Sequence, residues 1–250
     1  MQLRAEGIVV KERNIGENDK ILTILTRELG LIEVSARGIR KIKSGIAGSL
    51  SIFSYASLDL FKGRGGYIVN SAAPIKSFYG LSGDIEKTYL AFYLCEIICT
   101  FLPNEENGGI YLRLLLNTLH YLENGAKNND LLKGIFELKI MQLSGFMPDL
   151  VACKKCCCYE CSEMFFLAKS GSLLCGDCLA KGKGAPFVTP IHNSALTGLR
   201  FVIFSEFEKI FSFQLTESAL ASFSRVCEEY LLLHTQKNLS TLDFYKKIKA

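Results

Sequence analysis

Seven of the chain's ten cysteines fall between residues 152 and 178, in ACKKCCCYECSEMFFLAKSGSLLCGDC. Cys153 and Cys156 form one C-x-x-C pair and Cys175 and Cys178 another, with eighteen residues between them. Two such turns aim four thiolates at one centre, the tetrahedral sulfur set that Zn²⁺ accepts. Cys158 and Cys161 make a competing pair thirteen residues before Cys175. The outer pair is preferred because it leaves a longer loop for a zinc-ribbon hairpin, with MFFLAKSGSLLC folding back at Ser170-Gly171. Four sulfur ligands leave no open coordination position, so one structural zinc would staple the segment rather than catalyse. The adjacent thiols at 156–158 also admit a redox reading, by oxidation or ligand exchange. His192 is an alternative ligand, set against a capping or surface role for the same residue.

A second group of chemically meaningful residues lies in SARGIRKIKSG, which places Arg37, Arg40, Lys41 and Lys43 within seven residues. No acid occurs between Glu33 and Asp59. Such a loop is either a solvated charge run or a holder of phosphates; Lys11, Arg13, Lys20 and Arg64 are candidates to extend it. Phe53, Tyr55 and Phe61 could stack bases, although packing against a neighbouring element is the stronger expectation. Catalytic signatures are missing. There is no P-loop, no G-x-S-x-G, no H-E-x-x-H, and no H-x-E ahead of a P-C-x-x-C, so ATPase, serine hydrolase, zincin and zinc-deaminase chemistry are disfavoured. The expectation is a protein that is not an enzyme.

The elements that must carry these groups change character along the chain. Residues 1–77 read as five strands punctuated by glycine: EGIVVKER, KILTILTRE, LIEVSARG, LSIFSYASLDLF and GYIVNSA. Five short strands in so little chain suggest a small closed barrel, of oligonucleotide-binding or SH3-like type. From Leu81 the hydrophobic period becomes helical, and the apolar run Tyr89–Leu102 is too short to span a membrane. Helices are expected from Asp84 towards Pro103, up to Gly125, across 129–148, and in three further segments after the cysteines. The join at residues 76–84 is the expected boundary: a barrel over 1–78, then a helical domain over 79–250 with a zinc-binding insertion at about 150–182. The fold class is therefore α+β.

The charge is placed unevenly. The chain carries a net +4, whereas residues 1–80 hold twelve Lys and Arg against seven Asp and Glu. The hydrophobic fraction of 49% is high but globular. The N-terminus lacks the apolar core of a secretion signal, which leads to a cytoplasmic expectation, where clustered cysteines stay reduced and bind metal.

In combination, GENDKILTILTRELGLIEVSARGIRKIKSGIAGSL, FSYASLDLFKGRGGYIVNSA, GFMPDLVAC, CKKC and LLCGDC resemble the bacterial RecO recombination mediators along essentially the whole chain. The resemblance implies an OB-fold barrel followed by a helical domain bearing a zinc element. It implies binding of single- and double-stranded DNA, strand annealing, and loading of RecA onto DNA coated by single-strand-binding protein. It implies RecR, in some cases RecF, and the acidic tail of the single-strand-binding protein as partners. It places the basic motif on Arg37, Arg40, Lys41 and Lys43, and the zinc ligands on Cys153, Cys156, Cys175 and Cys178. Glycine commonly follows the first C-x-x-C in that family, whereas Cys157 stands there in this chain. Two other readings remain without direct DNA binding: a zinc-stabilised protein-interaction module and a thiol redox sensor.

Overall fold

The computed structural model of the chain describes residues 1–41, 44–102, 108–182, 188–235 and 237–249. Five strands come first: β1 (Gln2–Ile15), β2 (Asp19–Thr26), β3 (Gly30–Ala36), β4 (Ser54–Gly63) and β5 (Gly66–Ser77). They close a barrel in the order β1-β2-β3-β5-β4, with β4 returning to β1. The β3–β5 pair is parallel and every other pair antiparallel. That order, with its one parallel closure, is the OB-fold arrangement and removes the SH3-like alternative. Alternation supplies the interior: Leu22, Ile24, Ile32, Val34, Leu58 and Leu60 point inward and are at most 4% exposed. Closure joins β3 to β5 through the short parallel pairing of Val34 with Tyr67 and Ser35 with Ile68.

The fourth strand starts later than the alternation from Leu50 implies. Gly48–Leu50 form a short 3-10 turn, and Phe53 adopts φ 61°, a left-handed conformation that breaks the strand before Ser54. Leu50 still reaches the barrel core, from the turn rather than from a strand face.

Helix α1 (Ile85–Phe101) begins where Asp84 accepts the backbone N–H of Lys87, the capping its sequence position foreshadows. Helix α2 (Gly109–Asn124) ends on Gly125 at φ 62°, a left-handed C-cap. A Cβ added at Gly108 would lie 2.3 Å from the carbonyl oxygen of Thr26, so only glycine lets the start of α2 approach the end of β2. Helix α3 (Asn129–Leu143) is followed by β6 (Asp149–Cys153), β7 (Met164–Leu167), β8 (Ser172–Cys175), the short α4 (Gly176–Ala180) and β9 (Val188–Ile191). Three helices complete the chain: α5 (Asn193–Phe204), α6 (Glu217–His234) and α7 (Ser240–Lys249).

Packing divides the chain into two compact units, residues 1–125 with 239–250 and residues 126–238. This division groups α1, α2 and α7 with the barrel, whereas the change of periodicity lies at residues 76–84. In the first unit α7 packs along α1, and Glu96 of α1 accepts both the backbone N–H and the hydroxyl of Thr241. In the second unit α3 and α6 share a buried charge cluster, with the Lys133 ammonium 2.8 Å from carboxylates of both Glu137 and Glu228. Burial opposes the charge on Lys133, but the two carboxylates outweigh it and raise its pKa. Breaking such a cluster on one side is costly, which makes it a fastening between helices. No helix among the described residues is long and apolar enough to cross a membrane.

Candidate metal centre and nucleic-acid interface

The cysteine segment folds as a four-stranded sheet in the order β6-β8-β7-β9. The β7–β8 hairpin pairs Met164 with Cys175 and Leu167 with Ser172, and it turns through Gly171 at φ 58°. The hairpin and its turn match the sequence expectation; the flanking β6 and β9 extend it. The first C-x-x-C turn follows β6, and the second joins β8 to α4.

This geometry gathers the Sγ atoms of Cys153, Cys156, Cys175 and Cys178 within 4.8 Å of one another. Zn–S bonds of about 2.3 Å would set tetrahedral sulfurs about 3.8 Å apart, and Cys156 and Cys175 already stand at 3.6 Å. Burial pushes the Cys153 thiol up, but hydrogen bonds from the backbones of Cys156, Cys175 and Lys155 outweigh it and bring the pKa to about 6. Cys178 moves the other way, pushed up to about 12 by its hydrogen bonds to Cys156 and Cys175 and by burial. The shifts of Cys153 and Cys178 are opposed in the absence of a cation, and a dication among the four sulfurs would favour the thiolate form. The donor set therefore fits a metal ion. Cys158 and Cys161 are paired with each other and lie outside the cluster. His192 caps α5, its Nδ1 accepting the backbone N–H of Ser194 at 3.2 Å. Cys95 and Cys227 are buried in helices, and burial raises both thiols well above their ordinary range.

On the barrel, register decides which cations share a surface. Lys11 faces Thr23, which faces Glu33; Arg13 faces Ile21, which faces Ser35. Directly opposed residues in antiparallel strands present their side chains on the same face. Lys11, Arg13, Glu33 and Ser35 thus share the outer face of β1–β3, and Arg37 follows just past the end of β3. The loop after Arg37 turns back over the β1–β2 connection. Gly38 donates its N–H to Asp19 at 2.7 Å, Arg40 donates its backbone N–H to Asn18, and the Arg40 guanidinium donates to Gly16 at 3.2 Å. Arg37, Arg40 and Lys41 are exposed and, among the described residues, make no ion pair. Lys43 lies outside the described residues. Arg64 occupies the β4–β5 turn, which the pairing of Tyr67 with Val34 sets alongside β3.

Lys20 points from the face of β2 opposite to that of Thr23 and Ile21. It is in phase with the inward residues Leu22 and Ile24, lines together with Arg40 a cavity of about 420 Å³, and pairs with Glu12 at 2.8 Å. Arg13 is on the face, yet Glu33 stands 4.0 Å away and offsets part of its charge. Among the aromatics, Phe53 is buried against Phe92 of α1 with ring centroids 4.9 Å apart, as packing predicts. Tyr55 donates its hydroxyl to Glu6 at 2.7 Å, and burial followed by that bond pushes its pKa up to about 12. Phe61 stays exposed beside the β4–β5 turn.

Comparison with known proteins adds identity to this geometry. Residues 1–78 match the family described as "Recombination protein O N terminal", and residues 82–243 match "Recombination protein O C terminal". The chain belongs to the RecO family. It is 31% identical over 246 residues to the "DNA repair protein RecO" of Acetivibrio thermocellus, covering 98% of this chain and 97% of that protein. It is 29% identical over 249 residues to the protein of the same name from Alkaliphilus metalliredigens, covering 99% of this chain and 100% of that one.

Within this RecO chain, two features of the metal element have no counterpart in spacing alone. Arg200 of α5 donates to the carbonyls of Leu150, Val151 and Tyr159 at 2.8–2.9 Å, and its guanidinium lies 4.0 Å from the Tyr159 ring centroid. It ties both flanks of the first C-x-x-C turn to one helix. Nothing in the surrounding ALTGLRFVIF distinguishes that arginine from a surface residue. The second feature is Cys157, which adopts φ 58° where the family resemblance places glycine. A left-handed non-glycine residue costs about 1–2 kcal/mol, partly offset by the greater unfolded-state entropy of glycine. Cys157→Gly should therefore raise stability by about 1 kcal/mol and the thermal midpoint by about 2–4 °C. Calorimetry of the metal-loaded protein checks this; a lower midpoint would show that the Cys157 side chain contributes more than its backbone costs.

Proposed function

We propose that this chain is a non-enzymatic DNA repair and recombination mediator. It binds single- and double-stranded DNA, anneals complementary strands, and helps load RecA onto DNA coated by single-strand-binding protein. Its partners in this reading are RecR, RecF in some settings, and the acidic C-terminal tail of the single-strand-binding protein, in the cytoplasm. The barrel over residues 1–78 is the DNA-binding part, acting through Lys11, Arg13, Arg37, Arg40, Lys41, Lys43 and Arg64. Lys20 takes a lesser part, since Glu12 already neutralises it.

The observation that supports the reading is that the loop after β3, which carries the exposed Arg37, Arg40 and Lys41, folds back on the β1–β2 connection through Gly38 and Arg40. In OB-folds the β2–β3 face and the β1–β2 and β4–β5 loops are the surfaces that take oligonucleotides. Annealing makes no covalent bond. It requires two polyanions to approach while their bases stay free to pair. A cationic surface displaces condensed counterions and lowers the repulsion between the strands. An open face, unlike a clamp, leaves Watson–Crick edges available. The four cysteines hold one structural zinc ion in this reading, which stiffens a segment too small to bury an adequate core.

A strand-annealing assay on complementary oligonucleotides precoated with single-strand-binding protein, with metal content measured on the same sample, tests the proposal. The expected result is acceleration over the uncatalysed rate, falling as salt rises, at one zinc per chain. No acceleration by folded, metal-loaded protein would overturn it.

A further inference from the structure

The last helix, α7, carries Phe244 with Lys246, Lys247 and Lys249 in STLDFYKKIKA. A phenylalanine on a short amphipathic helix would ordinarily be buried. Leu242 and Tyr245 are buried against the rest of their unit, but Phe244 is 53% exposed. Its ring is not loose. It stacks on Tyr89 of α1 with centroids 5.9 Å apart and planes 28° from parallel. Tyr89 contacts Phe92 at 6.2 Å, and Phe92 contacts the buried Phe53 at 4.9 Å. Four rings thus run from the buried Phe53 to the surface, and the outermost is held from beneath. The Lys247 ammonium lies 5.6 Å from the centroid of the Phe244 ring. Ile85, one helical turn before Tyr89, is 63% exposed and widens the apolar surface on α1.

We infer that Phe244, backed by Tyr89 and flanked by Lys247, is a stacking platform for a base of single-stranded nucleic acid. The site lies on α1 and α7, on elements other than the basic barrel loop. The inference deepens the DNA-binding reading above and rests on it. The chemistry is that of sequence-tolerant single-strand binding: an aromatic face takes the base, and neighbouring cations follow the phosphates. A ring already supported on its lower face loses little side-chain entropy when a base arrives, which favours an aromatic held by others over a free one. Lys247 sits at the end of a flexible stem, so an arriving base displaces its ammonium towards the phosphate at no cost to the backbone. Lysines in the last turn of a helix also offset its dipole. That role alone accounts for the charges but not for the exposed, stacked ring.

The test uses the full-length, metal-loaded protein and two labelled probes of equal length, oligothymidine and an abasic deoxyribose-phosphate oligomer, read by anisotropy. Phe244→Ala should weaken oligothymidine binding about fivefold, the low end of the loss of one base–aromatic stack, and leave the abasic probe unchanged. Phe244→Trp should retain or strengthen oligothymidine binding. Lys247→Ala should weaken both probes and lower the salt slope by about 0.7. Equal effects of Phe244→Ala on both probes, or none on either, would overturn the platform while leaving the barrel loop standing. Failure of the unmodified protein to bind either probe would overturn the DNA-binding reading together with this one. If an acidic, aromatic-containing peptide bound in a Phe244-dependent way and DNA affinity did not depend on Phe244, the surface would belong to a protein partner and the inference would fall.

Discussion

Cys175→Ser should abolish the metal binding proposed above and unfold the segment from β6 to α4. Cys175 is 4% exposed and closes β8, so a serine there leaves three sulfurs and a poor fourth donor in a buried position. Structural zinc binding is worth about 10–16 kcal/mol in small zinc-finger units, on the order of the whole net stability of a domain. Strands of four and five residues with a five-residue helix cannot replace that from their own core. Loss of bound zinc should accompany rapid proteolysis within residues 150–182 and early amide exchange in β7 and β8. The barrel belongs to the other packing unit, has its own interior and should keep its protection. Cys158→Ser and Cys161→Ser are the contrast, because their sulfurs lie outside the cluster. Both should keep one zinc per chain. Full metal retention in Cys175→Ser, or loss in all three variants alike, would remove the four-sulfur assignment.

Replacing Arg37, Arg40, Lys41 and Lys43 together with alanine should weaken single-stranded DNA binding on the order of 100-fold at low salt, and flatten its salt dependence. Each phosphate contact on a single strand contributes about 0.7 to the slope of log K against log salt, so losing about three or four contacts removes about 2 to 3 from it. Arg40 also braces the β1–β2 connection through Gly16, so the variant must first be shown to keep the melting transition of the barrel. Lys20→Ala provides the control. Its ammonium is 2.8 Å from Glu12 and its side chain is only 22% exposed, so removing it frees a carboxylate and should change the slope little. An unaltered slope in a folded quadruple variant would take the loop out of the DNA-binding surface.

Local chemistry made much of this legible. The alternation of LIEVSAR produced β3, Asp84 and Gly125 marked the ends of α1 and α2, and the hairpin turned at Gly171. These features depend on residues within one turn or one strand, where side-chain period and backbone preference act directly. The strand beginning at Leu50 failed for a backbone reason. Phe53 sits at φ 61°, and no propensity predicts a left-handed phenylalanine. Its backbone N–H donates to the Val9 carbonyl and its ring packs on Phe92, 39 positions further along the chain.

Composition and spacing by themselves determined that a barrel precedes helices, that the C-x-x-C pairs suit one ion, with Cys153 and Cys156 preferred over Cys158 and Cys161, and that the front of the chain is basic. Tertiary structure alone decided where those cations lie relative to one another. Lys20 and Arg40 are both basic and both line one cavity, yet one turns inward to Glu12 while the other faces solvent from the β1–β2 connection. Only the fold brought Arg200 to the first C-x-x-C turn and Phe244 onto Tyr89. The physical reason is distance along the chain. Charge and ring contacts between residues tens or hundreds of positions apart leave no period in the sequence, and they arise only when closed strands and packed helices fix which side chains share a face.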